Sequence, residues 1–178
     1  MQTHRLIAHP SCAAAKVSEV SVRWNLLPDG RLMLRYRVDG AALLALPEAR
    51  SPARRDGLWQ ATCCELFLYD GEGKYREFNF APSGQWAAYH FDGYRTGGRD
   101  YEPLRVPEIT TDLGDNIFVL TAFLDAGELA SAASAALSAV IVEAGGQMSY
   151  WALAHGGAKP DFHDPSCFPV RFEPAQRP

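Results

Sequence analysis

The most constraining feature of this sequence is an apolar/polar alternation of period two, interrupted every few residues by turn signals. Val20, Val22 and Trp24 alternate with Ser21 and Arg23, as in a strand with one buried face. In residues 31–38, Leu32, Leu34, Tyr36 and Val38 fall on one face, and Met33, Arg35 and Arg37 on the other. Pro28-Asp29-Gly30 lies between the two runs. Proline presets φ and glycine tolerates a positive φ, so a hairpin is expected there. Three further strand-like runs follow at 62–69, 74–80 and 85–91. Asp70-Gly71-Glu72-Gly73 and Ala81-Pro82-Ser83-Gly84 join them, linkers short enough for an antiparallel meander.

Later strands are expected at 104–109, 117–125, 137–143, 148–154 and 168–172, with Gly145-Gly146 as a hairpin turn. The Ala/Ser-rich stretch 128–136 reads as a short helix or as a loop over one end of the fold, because alanine is the best helix former. Residues 40–61, with Pro47, Pro52 and the cluster Arg50, Arg54 and Arg55, read as a long and solvated connection, a kind of loop that often carries function. Eight to ten short strands with frequent turns imply an all-β antiparallel β-sandwich, an immunoglobulin-like or jelly-roll-like pair of sheets. No repeat is visible, and 178 residues suit a single domain spanning 1–178.

The formal charge of −4 offers no basic footprint for nucleic acid. No stretch approaches the ~20 apolar residues of a membrane span, and no signal-like apolar run follows the N-terminus. These features lead to the expectation of a cytoplasmic protein without a membrane or nucleic-acid partner; they leave the oligomeric state open. Cys12, Cys63, Cys64 and Cys167 include no Cys-x-x-Cys pair, and buried free thiols are expected. Cys63 and Cys64 should point to opposite sheet faces.

Strand alternation also sorts the polar residues. Tyr75, Glu77 and Asn79 share one face of their run, opposite Phe78 and Phe80; Glu65 lies opposite Cys64, Leu66 and Leu68; Trp86, Ala88 and His90 share a face. If these strands pair as a meander, Glu65, Glu77, Asn79 and an aromatic row line one concave surface. Carboxylates and amides beside aromatic rings suit a polyhydroxylated ligand, since rings cover the apolar sugar faces and polar groups bind the hydroxyls. The alternative is that this face is the solvated side of the sheet. A second group is Trp151 and His155, followed by Asp161 and His163 on a Gly/Pro-rich loop, where functional residues gather. The two histidines and a carboxylate could ligate a metal, but their spacing matches no metal signature, and tying down the loop by hydrogen bonds is the simpler role. Arg95, in a polar loop, could fork onto a carboxylate or a ligand oxygen. No phosphate-binding glycine motif is present.

The residues Leu58-Trp59, Cys64-Glu65-Leu66-Phe67, 75–84 (Tyr-Arg-Glu-Phe-Asn-Phe-Ala-Pro-Ser-Gly), Trp86-Ala87-Ala88-Tyr89, 149–155 (Ser-Tyr-Trp-Ala-Leu-Ala-His) and Pro160-Asp161-Phe162-His163 together resemble the DOMON-like bacterial proteins. These are relatives of family 9 carbohydrate-binding modules and of DOMON cytochrome domains. The resemblance runs from about Val17 to Phe172 and implies a β-sandwich with a ligand site on one sheet or at its rim, for a sugar or a b-type haem. Two departures from it are expected: neither an export signal nor a catalytic partner domain is read in these residues, and Met33, His90 and Met148 are only generic candidates for axial haem ligands.

Three functions follow as expectations. The leading one is a non-catalytic, cofactor-free module for a carbohydrate or sugar-like metabolite. Trp59, Trp86 or Trp151 would stack on the ligand, and Glu65, Glu77, Asn79, Arg95, His155, Asp161 and His163 would supply polar contacts. The first alternative is a b-type haem-binding domain. The second is a glycoside-acting enzyme using Glu65 and Glu77, which requires two carboxyls roughly 5–5.5 or 6.5–9.5 Å apart and fails if they lie on opposite sheets.

Overall fold

A computed structural model describes residues 2–171. The chain is all-β, and its named strands pair antiparallel. In chain order they are β1 (Gln2–Ala8), β2 (Glu19–Leu26), β3 (Arg31–Asp39), β4 (Cys63–Tyr69), β5 (Tyr75–Phe80), β6 (Trp86–Phe91), β7 (Arg99–Asp100), β8 (Glu108–Leu113), β9 (Ile117–Asp125), β10 (Ser134–Glu143), β11 (Gln147–Ala152) and β12 (Val170–Arg171).

Where two sheets are expected, the strands form one continuous hydrogen-bonded path, β7-β6-β5-β4-β10-β11-β1-β2-β3-β9-β8, with β12 on β10. The link is β1: Gln2 to Leu6 pair with β2, then Ile7 and Ala8 pair with β11. The path curls so that its two halves enclose one apolar interior. Val20, Val22, Leu34, Tyr36 and Leu120 enter it from one half, and Leu66, Phe78, Phe80, Leu137 and Ile141 from the other. The Tyr36 hydroxyl crosses this interior and donates to the Glu65 carbonyl oxygen at 2.6 Å.

The expected β2–β3 hairpin is present. Gly30 closes it at φ 80°, with its amide donating to the Leu27 carbonyl. The β4–β5–β6 meander is also present, in the register Glu65 opposite Asn79 and Glu77 opposite Tyr89. Cys63 and Cys64 point into different clusters, as expected from adjacent strand positions.

Three expectations about elements need correction, and one strand is unexpected. Residues 128–136 are not one helix or loop: a short 3-10 turn covers Ala126–Ser131, and β10 already begins at Ser134. The alanines serve packing here, since Ala135 and Ala136 lie on opposite faces of an interior strand and both are buried, a context that overrides helix propensity. The strand expected at 104–109 lies at Glu108–Leu113, and that expected at 168–172 is reduced to Val170–Arg171 among the described residues. Strand β1 carries little alternation and has no counterpart among the expected strands. The 40–61 connection is as long as expected and carries two single-turn 3-10 segments, Ala41–Leu43 and Leu58–Gln60, and two isolated bridges, Leu44 with Glu143 and Arg54 with Trp86. No helix of the described residues is long and apolar enough to cross a membrane.

Candidate functional site

The half built from β4, β5, β6, β10 and β11 is covered on both faces. Its inner face meets the shared interior. Its outer face carries a second apolar cluster, including Phe67, Tyr75, Val140, Ala152, Phe162 and Phe168, held down by the chain that follows β11. That double burial explains why β4 is buried at six consecutive positions although it contains a glutamate.

A cavity of about 740 Å³ opens on the outer face, within the range of small-ligand pockets. Its floor is the odd-numbered row of the meander, Glu65 and Phe67 from β4, Glu77 from β5, and Tyr89 and Phe91 from β6, with Val140 and Tyr150 beside them. Four loops supply the walls: Ser11 and Cys12, Trp59, Arg95, and residues 159–163. The Leu58–Gln60 turn is planted by Leu58, which packs with Cys63, Ala81 and Ala87. This leaves Trp59 at the wall with 51% of its surface exposed.

Both floor carboxyls are buried, Glu65 at 2% exposure and Glu77 at 6%. They occupy the same face of adjacent strands, diagonal to each other across the β4–β5 register. Burial pushes the Glu65 carboxyl well above its ordinary range, and the neighbouring Glu77 charge adds to this; a hydrogen bond from the Ser138 hydroxyl (3.2 Å) opposes it. Burial also raises Glu77, to about 7, against the opposing effects of the Asn79 amide (2.7 Å) and the Arg95 charge. Two such carboxyls titrate as a unit, because ionising one hinders the other.

A hydrogen-bond relay fixes the far wall. The Arg95 backbone N–H donates to the Tyr75 hydroxyl at 3.1 Å, and that hydroxyl lies 2.8 Å from His163 Nδ1. With Tyr75 donating to Nδ1, the neutral ring carries its proton on Nε2, 3.7 Å from Glu77 Oε2, an assignment made from the network. Burial, aided by the Arg95 charge and opposed by Asp161, lowers His163 to about 4. The ring is therefore neutral near pH 7, and its approach to Glu77 is a polar contact, not an ion pair. Burial pushes Asp161 up, but hydrogen bonds from Arg95 (2.8 Å), the Tyr94 hydroxyl and the His163 backbone N–H (3.1 Å) outweigh it and hold the carboxyl low. Asp161 thus ties its loop to the Arg95 loop, and Arg95 has found a carboxylate.

Of the ten sequence candidates, Trp59, Glu65, Glu77, Arg95, Asp161 and His163 meet at this cavity. Four do not line it. Asn79 is wholly buried behind Glu77, bonding its carboxyl and lying 3.8 Å from the Cys63 thiol. Trp86 and Trp151 sit on the opposite face, inside the shared interior. The reason is pairing: Trp86 lies opposite Phe80, and Trp151 opposite Ala139, both interior residues. His155 lies beyond the end of β11, with Nε2 2.8 Å from the Ile7 carbonyl oxygen and its ring edge-on to His9. The axial haem candidates Met33, His90 and Met148 do not line the cavity either. Sequence reasoning missed Phe67, Tyr89, Phe91 and Tyr150. The first three share strand parity with Glu65, Glu77 or Ala87, so alternation together with the meander register could have found them. Ser11, Cys12 and Lys159 arrive by tertiary folding and leave no local signal.

No family model and no curated protein matches this chain. Among solved structures it is similar to a putative carbohydrate-binding protein from Bacteroides uniformis, with a TM-score of 0.66 and 15% sequence identity over 94% of this chain and 84% of that one. At such identity the likeness is one of fold.

Proposed function

We propose that the protein is a binding module that holds a small carbohydrate or sugar-like metabolite in the outer-face cavity and does not transform it. The observation that carries this reading is the half-exposed Trp59 ring at the wall of a 740 Å³ cavity whose floor presents the buried Glu65 and Glu77. An exposed indole supplies a stacking surface for a sugar face, and recessed carboxyls supply directional hydrogen bonds to hydroxyls. Tyr89, Phe91 and Tyr150 extend the aromatic lining. Two further lines support the reading: the structural neighbour is itself described as a putative carbohydrate-binding protein, and the motifs around residues 58–91 and 149–163 resemble DOMON-like proteins and family 9 carbohydrate-binding modules. On this view the curled sheet is a sandwich of that kind, joined into one path through β1.

Isothermal titration against a panel of mono- and disaccharides tests the proposal. Saturable binding that Trp59→Ala weakens is the expected result. Absence of heat at ~10 mM of every sugar, a range below about 3 kcal/mol of binding free energy, overturns it.

One observation favours a second reading. Glu65 and Glu77 lie on one face of adjacent strands, so the geometry meets the first requirement for a carboxyl pair acting on a glycosidic bond. Turnover of aryl glycosides that both Glu65→Gln and Glu77→Gln abolish would establish it; binding without turnover leaves the non-catalytic reading standing.

A further inference from the structure

The charges facing the cavity do not cancel. Its acidic and basic side chains are Glu65 and Glu77 on the floor, and Arg95, Lys159, Asp161 and His163 in the walls. Arg95 and Asp161 neutralise each other through their 2.8 Å ion pair. His163 is neutral near pH 7, for the reasons of burial and nearby Arg95 given above. Burial holds the Glu65 proton well beyond the usual carboxylate range and the Glu77 proton to about pH 7. Below about pH 7, Lys159 is the charge left over. It is exposed, and among the described residues its ammonium has neither hydrogen-bond nor ion-pair partner. It precedes Pro160, which biases its backbone toward extended conformations, while its four-carbon stem stays flexible, so the ammonium can follow a ligand group at the cavity wall.

A cavity with this arrangement suits a ligand that is polyhydroxylated at one end and negative at the other. Protonated floor carboxyls donate hydrogen bonds and do not repel an anion, while the lysine and the Arg95 donors not engaged with Asp161 offer charge-assisted bonds. A neutral sugar would leave Lys159 without a counter-charge. We infer that the cavity takes a sugar bearing an anionic group, a uronate carboxylate or a sugar phosphate, with that group held at the wall by Lys159 beside Arg95. This inference rests on the carbohydrate reading above and deepens it.

The test compares matched pairs by isothermal titration on the full chain at pH 6 and low salt: glucuronate with glucose, galacturonate with galactose, and glucose 6-phosphate with glucose. The anionic member should bind roughly tenfold tighter, the scale of one charge-assisted hydrogen bond. Glucuronate and the phosphate ester distinguish a carboxylate from a phosphate site. The preference should fall to within about twofold in Lys159→Ala and in 0.5 M NaCl, where screening acts over a few ångströms, and Lys159→Arg should retain it. Because the ammonium has no partner to lose, Lys159→Ala should keep the wild-type melting temperature, which separates lost recognition from lost folding. Equal affinities within each pair, tighter binding of the neutral member, or a preference untouched by Lys159→Ala overturns the inference and leaves the carbohydrate reading intact. Binding of no sugar in any pair overturns that reading as well.

Discussion

Glu77 links the chemistry of the cavity to the stability of the fold, and Glu77→Gln isolates that link. Burial raises this carboxyl from an ordinary 4.5 to about 7 in the folded chain. The native state therefore holds the proton more tightly than the unfolded chain does. The resulting stabilisation is complete below about pH 4.5 and is lost as pH rises through 7, where the native state must ionise a buried group. At about 1.36 kcal/mol for each tenfold in proton affinity, the whole interval amounts to about 3 kcal/mol. Glutamine preserves the shape, keeps an oxygen to accept from Asn79, and cannot ionise. Urea unfolding of both proteins at pH 5, 6, 7, 8 and 9 should show the variant gaining on the wild type by up to about 3 kcal/mol across the series, roughly 6–12 °C in Tm for a chain of this size. His163, lowered from 6.5 to about 4 in the folded chain, adds its own pH dependence between those values, but that contribution is common to both proteins and cancels in the difference. Glu65 faces Glu77 and also prefers its proton, so the wild-type pair releases protons in coupled steps, whereas in the variant Glu65 titrates alone and more readily. Stability curves that stay parallel within about 0.5 kcal/mol from pH 5 to 9 would refute the argument that Glu77 is a desolvated acid.

Three substitutions probe the remaining assignments. Trp59→Ala should weaken sugar binding about tenfold, the value of a stacked ring, and leave the urea midpoint nearly unchanged, because half of the side chain is already in water. Trp151→Ala should do the reverse: it removes a ring from the shared interior and a 2.9 Å bond from Nε1 to the Ser149 hydroxyl, costing about 3–5 kcal/mol in the same unfolding assay. Glu143→Gln should loosen the segment ahead of β2. The buried Glu143 carboxylate accepts backbone N–H groups of Ala15 (2.6 Å), Lys16 (2.7 Å) and Val17 (3.2 Å); an amide has one acceptor oxygen where the carboxylate has two, so about 1–3 kcal/mol of satisfaction is lost, read as faster amide exchange at residues 15–17.

The strands were legible where alternation and turn chemistry agree. Pro28-Asp29-Gly30 and Asp70-Gly71-Glu72-Gly73 mark hairpins that form, and the meander from Cys63 to Phe91 lies where its pattern puts it. Legibility failed where burial is two-sided or absent. Strand β10 is buried on both faces, so its Ala-rich start shows no alternation and reads as helix. Strand β8 is an edge with almost every side chain in water, so it offers nothing for a hydrophobic pattern to detect. The closure of the sheet through β1 was hidden for a related reason: it depends on one strand changing partner between Leu6 and Ile7, a change that no local pattern encodes.

The site shows the same limit at finer grain. Alternation groups residues by face but does not say which face meets the interior and which meets a ligand; pairing decides that. The Glu65/Glu77 face could be followed across to β6 only through the register that sets Glu77 opposite Tyr89 and Phe80 opposite Trp86. Once Phe78 and Phe80 are assigned to the interior, Trp86 must join them, and the aromatics left facing Glu77 are Tyr89 and, two residues on, Phe91. The same step on β11 sends Trp151 inward with Ala139 and Tyr150 outward with Val140. Of the three tryptophans put forward for stacking, the one that reaches the cavity is Trp59, which no strand carries. Freed from parity by its position in a 3-10 turn, it is placed by its neighbour Leu58, whose burial forces the adjacent ring outward.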